Sequence, residues 1–208
     1  MSHHHPQLIL ADLKRLRPTQ MTVGMLEVQN KAQHWNTLGT RARNDLLRNQ
    51  CFPAVLGPSS RYYIVDHHHL GLALIEDGVK QVWLNVQRDL SWLSGGEFWL
   101  AMEYFQWAHP YDADGVRQPW NAMPTNVTAL KDDPFRSLAG VLRNAGRYAK
   151  DTSPFSEFLW ADHLRRRIRK KLVVRDFEAA LAEAKALAHL PDARHLPGWA
   201  GENSGFMP

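Results

Sequence analysis

Three adjacent histidines follow a carboxylate at one point in the chain, in the order Asp66-His67-His68-His69. Imidazole titrates near neutral pH, so it can donate to a phosphate oxygen when protonated or act as a general base. The neighbouring carboxylate of Asp66 could orient an imidazole or hold Mg²⁺. This stretch, which we call the histidine turn, therefore predicts phosphate chemistry. The competing interpretation is a histidine-rich surface turn in which one imidazole caps a helix.

The elements on either side of the histidine turn explain why it is a candidate site. Residues 62–65 are aromatic or β-branched and predict a buried strand. Leu70, Ala73 and Leu74 then recur at helical spacing, and Gly78 is a suitable helix end. The histidines should thus lie where a strand leads into a helix N-terminus, whose free N–H groups attract anions. Consecutive helical side chains point to different faces, so the three imidazoles cannot converge on one metal.

Composition narrows the class of protein. The chain has 208 residues, of which 44% are hydrophobic, so it can form one domain, alone or with a substantial extension. Its one cysteine, Cys51, excludes an internal disulfide and a cysteine-based zinc site. No apolar run approaches the roughly 18 residues of a membrane span. Residues 1–6 lack the hydrophobic core of an export signal, so we expect a cytoplasmic protein without membrane contacts.

The N-terminal half alternates strand and helix signals. Thr22 is a candidate cap for a helix that runs through Trp35 with Val23 and Leu26 inward. A second helix is predicted for residues 40–49. The predicted strands are residues 8–10, 52–56, 61–65 and 81–86, with the middle two forming a hairpin. This order favours a small mixed sheet with helices.

The C-terminal half carries helix signals. Ser94 with Glu97 forms a capping box ahead of residues 98–107. Asp133-Pro134 and Ser153-Pro154 each combine a cap with proline at the first helical position. After the second of these, an inward stripe is predicted from Phe155, Phe158 or Leu159, Leu164, Ile168 and Leu172, and another from Phe177, Leu181, Ala184 and Leu187. We therefore predict an α+β fold with a sheet domain at residues 1–92 and a helical extension at 93–208, ending in an irregular tail from Pro191.

Two further stretches have competing interpretations. Residues 109–115 contain two aspartates and a glycine but lack the remaining ligands of a calcium loop, so a turn or a loop covering the site is favoured. Basic residues are dense between positions 165 and 175, and the chain has a formal net charge of +4. Such a face is a solvated helix surface or a contact for DNA phosphates.

The histidine turn, together with four further segments, resembles the ParB-like nuclease family, which is distantly similar to the N-terminal domain of ParB and to sulfiredoxin. The resemblance spans roughly residues 8–198. The segments that carry it are Arg17-Pro18-Thr19-Gln20, Val23-Gly24 with the Val28 and Lys31 helix, the histidine turn, and the later stretches at 132–140 and 155–162. It implies a ParB/sulfiredoxin-like sheet whose histidine turn holds nucleotide phosphates or acts in phosphoryl chemistry.

The match to the family pattern Asp-Gly-His-His-Arg is incomplete. Asp66, His68 and His69 agree with it, whereas His67 replaces the glycine and Leu70 replaces the arginine. Losing that arginine removes a bidentate phosphate donor. Arg136 is a candidate substitute, although an arginine at a helix start is more often a surface residue. The turn has no cysteine, which argues against sulfiredoxin chemistry.

The resemblance also suggests partners for the histidine turn. It implies that Thr19 and Gln20, which follow a proline-fixed turn, lie beside it in a polar pocket. Glu27 is a candidate second carboxylate, because similar kinases use a glutamate on this helix; its alternative role is an ion pair with Lys31 at i,i+4. Asp66, His68, His69 and Glu27 are thus the candidate catalytic residues, and Thr19, Gln20, His67 and Arg136 the candidate ligand-binding ones.

Three functions remain in competition. The first is a nuclease or a nucleotide-dependent phosphotransferase, with a nucleotide and Mg²⁺ as candidate cofactors. The second is a non-catalytic nucleotide- or DNA-binding module, with DNA bound weakly and without sequence preference. The third is a structural protein with a degenerate site. If protonated imidazoles bind the anion, affinity should weaken as pH rises through about 6.5, and His68→Ala should reduce binding while leaving the fold intact.

Overall fold

The computed structural model describes residues 7–201, and its sheet confirms the predicted α+β class. The prediction that residues 1–6 contain no export signal lies outside the described residues. The end of the predicted irregular tail, residues 202–208, also lies outside them. The strands are β1 Gln7–Asp12, β2 Arg17–Pro18, β3 Thr22–Val23, β4 Phe52–Gly57, β5 Arg61–Ile64, β6 Gln81–Asp89 and β7 Lys131–Asp132. The helices are α1 Met25–Thr37, α2 Thr40–Asn49, α3 His68–Glu76, α4 Gly95–Tyr104, α5 Pro134–Asn144, α6 Ser156–Arg165, α7 Lys170–Arg175 and α8 Phe177–Leu187.

A five-stranded mixed sheet has the order β1-β6-β4-β5-β2. The antiparallel β4–β5 hairpin confirms the one predicted from the sequence, and a short 3₁₀ turn at Pro58–Ser60 joins its strands. The β6 strand runs parallel to β4 and antiparallel to β1. The β5 strand lies between β4 and β2, so it delivers the histidine turn to one end of the sheet beside the residues after β2.

The two faces of the sheet bury different clusters, as alternation along a strand requires. On β5, Ile64 belongs to the cluster formed with α1 and α3, whereas its neighbour Tyr63 packs against α4. The ring centroids of Tyr63 and Phe98 are 4.5 Å apart. Ser94 and Glu97 form the predicted capping box of α4, so this helix begins where the sequence indicated.

The chain beyond residue 100 is mainly helical, as predicted. Among the described residues there, the only strand is the two-residue β7. A separate apolar cluster joins α5, α6, α7 and α8, and within it the rings of Tyr148 and Trp160 stack at 4.2 Å. No helix within residues 7–201 is long and apolar enough to cross a membrane.

The predicted Thr22 cap is wrong. Thr22 lies in β3, which pairs in parallel with β7, and α1 begins at Met25 after Gly24. The Met25 N–H is instead capped by the carboxylate of Asp132, at 3.0 Å. Gly24 itself packs tightly, because a Cβ there would lie 2.7 Å from the backbone nitrogen of Ser137. This junction fastens the start of α1 to the start of α5.

The predicted helix start at Ser153-Pro154 is also wrong by about two residues. The α6 helix begins at Ser156 and follows Phe155, whose φ of 59° is left-handed. Of the two alternatives for the inward stripe, Phe158 is buried and Leu159 is 49% exposed. The basic cluster at residues 165–175 is not entirely exposed to solvent, since Arg165 is largely buried against the carboxylates of Asp133 and Asp162.

Candidate functional site

A cleft of about 800 Å³ lies between the sheet end and the helical half. One wall carries the histidine turn with Glu27 and Lys31 of α1, and the other carries the α5 arginines and the start of α6. The residues that line the cleft include Gln20, Glu27, Lys31, Asp66, His67, His68, His69, Arg136, Arg143, Tyr148, Lys150, Asp151, Phe155, Glu157 and Phe158. The structure therefore brings nearly all of the sequence-predicted residues to one cavity.

Two helices begin at this cleft. The residue before α3 is His67, with φ of 65°, and the residue before α6 is Phe155, with φ of 59°. The first N–H groups of a helix have no partner within that helix, and the helix dipole favours negative charge there. The left-handed backbone at position 67 also explains the glycine of the family pattern, because glycine adopts that conformation without strain. This chain has histidine at position 67 although the left-handed conformation strains a residue that carries a side chain.

His68 is buried, with 2% of its surface exposed. Its Nε2 accepts a hydrogen bond from the backbone N–H of Thr19 at 3.2 Å, which ties the segment after β2 to the start of α3. Burial lowers the pKa of His68 to about 3, although the carboxylate of Asp66 opposes this shift. The ring is therefore neutral near pH 7, and Nδ1 carries its hydrogen.

His69 is held in the same way. Its Nε2 accepts from the backbone N–H of Gly24 at 3.1 Å and lies 3.7 Å from a carboxylate oxygen of Glu27. Burial, with help from the positive charge of Arg136, lowers the pKa of His69 well below its ordinary value. Both rings are hydrogen-bond acceptors for the backbone and have a lowered pKa, which argues against anion binding by protonated His68 and His69.

His67 is the most accessible of the three imidazoles. Its side chain is 31% exposed, and its Nδ1 lies 4.0 Å from Oδ2 of Asp66. Burial lowers the pKa of His67, while the adjacent Asp66 raises it in part. Asp66 is itself largely exposed, and its Oδ1 accepts from the His67 N–H at 2.6 Å. These two side chains form a solvent-facing imidazole–carboxylate pair inside the cleft.

The remaining polar candidates have mixed positions. Thr19 is 1% exposed and donates from Oγ1 to the carbonyl of Ile64 at 2.9 Å, so it supports the turn from beneath. Gln20 lines the cleft and donates to the carbonyl of Thr22. Glu27 also lines it and forms the expected pair with Lys31, at 3.4 Å. The ion-pair alternative for Glu27 is therefore confirmed, whereas its role as a second catalytic carboxylate stays a prediction, although Glu27 also lies near His69.

Arg136 is not the surface residue that its place at a helix start suggested. It is 6% exposed and lines the cleft, with its guanidinium carbon 3.7 Å from the centroid of the Phe158 ring. Burial lowers the pKa of Arg136 to about 10, with Glu27 and Asp133 opposing the shift, so the group stays charged at neutral pH. Its buried Nε has no hydrogen-bond partner among the described residues. Arg136 is thus a fixed, largely desolvated cation at the cleft.

Two further cleft residues were missed from the sequence. Arg143 lies on α5 seven residues after Arg136, and that spacing places two side chains on one helix face. Glu157, in the first turn of α6, pairs with both arginines; its Oε2 is 3.5 Å from Nη2 of Arg136, and its Oε1 contacts Nη1 of Arg143. The arginine spacing was available in the sequence, whereas nothing local indicated the Glu157 contact.

Mg²⁺ at Asp66 remains a prediction. Magnesium is commonly held by one or two carboxylates together with substrate phosphates and water. Within residues 7–201, no group of three or more histidine, cysteine, aspartate or glutamate side chains is placed to hold a metal ion. Among these described residues Asp66 would therefore share such an ion with at most one other side chain of these types, and the phosphate ligand and water would supply the remaining contacts.

The sequence and the fold now identify the class of protein. The model of the family described as "Putative ParB-like nuclease" matches residues 9–166, which is most of the chain and includes both walls of the cleft. The protein belongs to this ParB-like nuclease family.

Among solved structures, the chain is similar to protein Atu1540 from Agrobacterium tumefaciens, at 46% identity and a TM-score of 0.87. The match covers 94% of this chain and 99% of that one. No curated protein matches the chain.

The neutral histidines change the expected pH dependence of anion binding. Because His68 and His69 do not titrate near pH 6.5, affinity for inorganic phosphate should not fall between pH 6 and pH 8. The positive charge available to an anion in the cleft would then be that of arginine, which keeps its proton throughout this range. Calorimetric titration with phosphate at pH 6, 7 and 8 tests this, and a tenfold or larger loss of affinity at the higher pH would restore the protonated-imidazole hypothesis.

Proposed function

We propose that the cleft binds the phosphate of a nucleotide or nucleic acid and catalyses phosphoryl chemistry, as a hydrolase or a phosphotransferase. The observation that carries this proposal is the convergence of two helix N-termini and the buried Arg136 on one cavity. Helix N-termini and arginine are each favourable for phosphate, and a low-dielectric wall strengthens both. The resemblance of the histidine turn to the family pattern supports the same chemistry.

In this proposal the three histidines have different tasks. His68 and His69 keep their Nε2 atoms on backbone N–H groups and hold α3 in position, and their Nδ1 hydrogens are available as neutral donors. His67 is the general base, because it is the accessible imidazole and Asp66 can stabilise its protonated form. It would take a proton from the attacking water or hydroxyl, while Arg136 and the helix N-termini stabilise charge on the phosphoryl oxygens.

The test of this assignment is His67→Asn. A general base contributes roughly 10²–10⁴-fold to a rate, so we expect turnover of the best nucleotide or oligonucleotide substrate to fall at least about 100-fold. Affinity should change by no more than about threefold, because the Arg136 contact is retained. Single-turnover kinetics and calorimetry separate the two effects. The exposed His34 of α1 is the matched control, as His34→Asn also removes one imidazole.

The alternative, a DNA-binding module, is favoured by a second concavity. A groove of about 580 Å³ is lined by Arg167, Arg169, Lys171, Leu172, Arg175 and Glu183. Four cations against one carboxylate would attract a nucleic-acid backbone, but this groove presents no element suited to reading bases. It would therefore add affinity without sequence preference.

We expect DNA binding through this groove to be weak and strongly dependent on salt. Retention of a duplex on filters should fall steeply between 50 and 200 mM salt and should be equal for unrelated sequences. Arg169→Gln combined with Arg175→Gln should reduce the slope of log affinity against log salt by about 2, because two phosphate contacts are lost. Tight, sequence-selective retention at physiological salt would contradict this expectation.

A further inference from the structure

We infer that Glu157 occupies the phosphate-binding edge of Arg136 and Arg143 and thereby restricts the cleft to phosphate monoesters, such as a free nucleotide or the terminal phosphate of a strand. This inference rests on the proposed phosphate-binding function and names its substrate class. Internal phosphodiesters would be excluded from the same arginines.

The geometry is that of a carboxylate standing where a ligand oxygen would bind. One oxygen of Glu157 faces Arg136 at 3.5 Å, and the other contacts Arg143. The Glu157 side chain is only 18% exposed, and those of the arginines are 6% and 24% exposed, so this pairing is largely screened from water. Two arginines on one helix face that share a two-oxygen anion match the way arginine binds phosphate.

The arginine and the glutamate differ in how easily they can leave this contact. Arg136 is buried and stacked on Phe158 at 3.7 Å, so its guanidinium is fixed from one side. Glu157 lies in the first turn of α6, two residues after the left-handed Phe155. Helix ends open more readily than buried helix centres. An incoming phosphate would therefore displace the carboxylate while the arginine stays in place.

The charge of a phosphate group then decides whether it can displace the Glu157 carboxylate. A phosphodiester carries one negative charge, the same as the carboxylate that it must replace, so the exchange gains little electrostatic energy. A monoester carries about −1.5 to −2 at pH 7, so it gains from the same exchange. The other two cleft cations do not offset this barrier, because Lys31 is already paired with Glu27 and Lys150 is exposed to solvent.

The experiment compares matched ligands that differ by one charge. Calorimetry would measure binding of the adenosine, guanosine, cytidine and uridine 5′-monophosphates and of the monomethyl ester of each. For the nucleotide that binds best, the wild type should prefer the free monoester by at least about tenfold, which corresponds to about 1.4 kcal/mol. Glu157→Gln should narrow this preference to about threefold or less, chiefly because the methyl ester binds more tightly.

The control variant is Asp151→Asn, in the exposed loop before α6. Asp151 accepts a hydrogen bond from the Ser153 N–H but forms no ion pair within the described residues. The Asp151→Asn variant removes one negative charge near the cleft, as Glu157→Gln does. It should therefore keep the wild-type preference if the effect comes from the arginine contact. Thermal unfolding would show whether Glu157→Gln is folded. If it is not, Glu157→Asp, whose side chain is too short to reach both arginines, should give an intermediate preference.

The outcomes separate this inference from the proposed function. If the wild type binds monoester and methyl ester equally, or if both Glu157 and Asp151 variants shift the preference alike, the inference is wrong and phosphate binding stands. If no nucleotide or methyl ester binds to the wild type, the proposed function fails and the inference falls with it.

Discussion

Replacing Arg136 with methionine is expected to weaken phosphate binding by about 10- to 150-fold. A charge-assisted hydrogen bond to a buried cation contributes about 1.5–3 kcal/mol, and the two helix N-termini cannot replace the arginine's fixed charge. The variant should also be less stable than the wild type, because a buried ion pair loses one partner. Arg143 still pairs with Glu157, so we expect the unfolding free energy to fall by about 2–3 kcal/mol rather than more.

Arg165→Met is the matched control for this prediction. Arg165 is also largely buried, pairs with Asp133 and Asp162 and lies over the ring of Phe135, yet it does not line the cleft. Its loss should lower stability by a comparable amount and leave phosphate affinity within about threefold of the wild type. Urea denaturation and calorimetry on both variants are the measurements. Equal losses of affinity would mean that Arg136 acts only through the fold.

Replacing His68 with alanine is expected to destabilise the protein by about 2–3 kcal/mol, contrary to the sequence-based expectation of an intact fold. The variant would leave the buried Thr19 N–H without its acceptor and would open a cavity beneath the histidine turn. His68→Gln should recover most of this loss, because its amide oxygen can reach the position of Nε2. Urea denaturation at pH 7 compares the three proteins, and an alanine variant as stable as the wild type would contradict the structure.

The same histidine predicts a pH dependence of stability. Its pKa is about 3 in the folded protein and about 6.5 when unfolded, so between these values the unfolded chain binds the extra proton. The stabilisation is therefore complete above about pH 6.5 and is lost as pH falls towards 3, by up to about 1.4 kcal/mol per pH unit. His68→Gln should reduce the loss measured between pH 6 and pH 5. Half-buried His109, whose pKa is also lowered to about 3 by desolvation, maintains a residual slope.

Local signals were sufficient to predict much of the fold. The hairpin, the second helix at Thr40–Asn49 and the capping box of α4 each depend on residues that are close in sequence, and the structure confirms them. The histidine turn was located for the same reason, since a strand, a carboxylate and a helix pattern follow one another directly. Arg136 was a candidate only because the histidine turn lacks the arginine of the family pattern and has Leu70 in its place.

Features that depend on distant pairing could not be predicted in this way. The cap of α1 comes from Asp132, more than a hundred residues later, so a local search selected Thr22 instead. The neutral state of His68 depends on burial and on a contact with Thr19 across the sheet end. The Glu157 contact requires α5 and α6 to pack together. In each case the deciding interaction is tertiary, and no local pattern encodes it.

The two walls of the cleft have a consequence for how activity arises during synthesis. The sheet half supplies the histidine turn, whereas Arg136 and Arg143 reside in a segment made at least sixty residues later. A nascent chain that has released only the sheet half carries an imidazole–carboxylate pair without its phosphate-binding arginines. Phosphate affinity should therefore appear late and abruptly, when α5 docks on α1 through the Gly24–Ser137 junction. If the proposed function is correct, the division of the site between the halves would leave incomplete chains inactive on the ribosome.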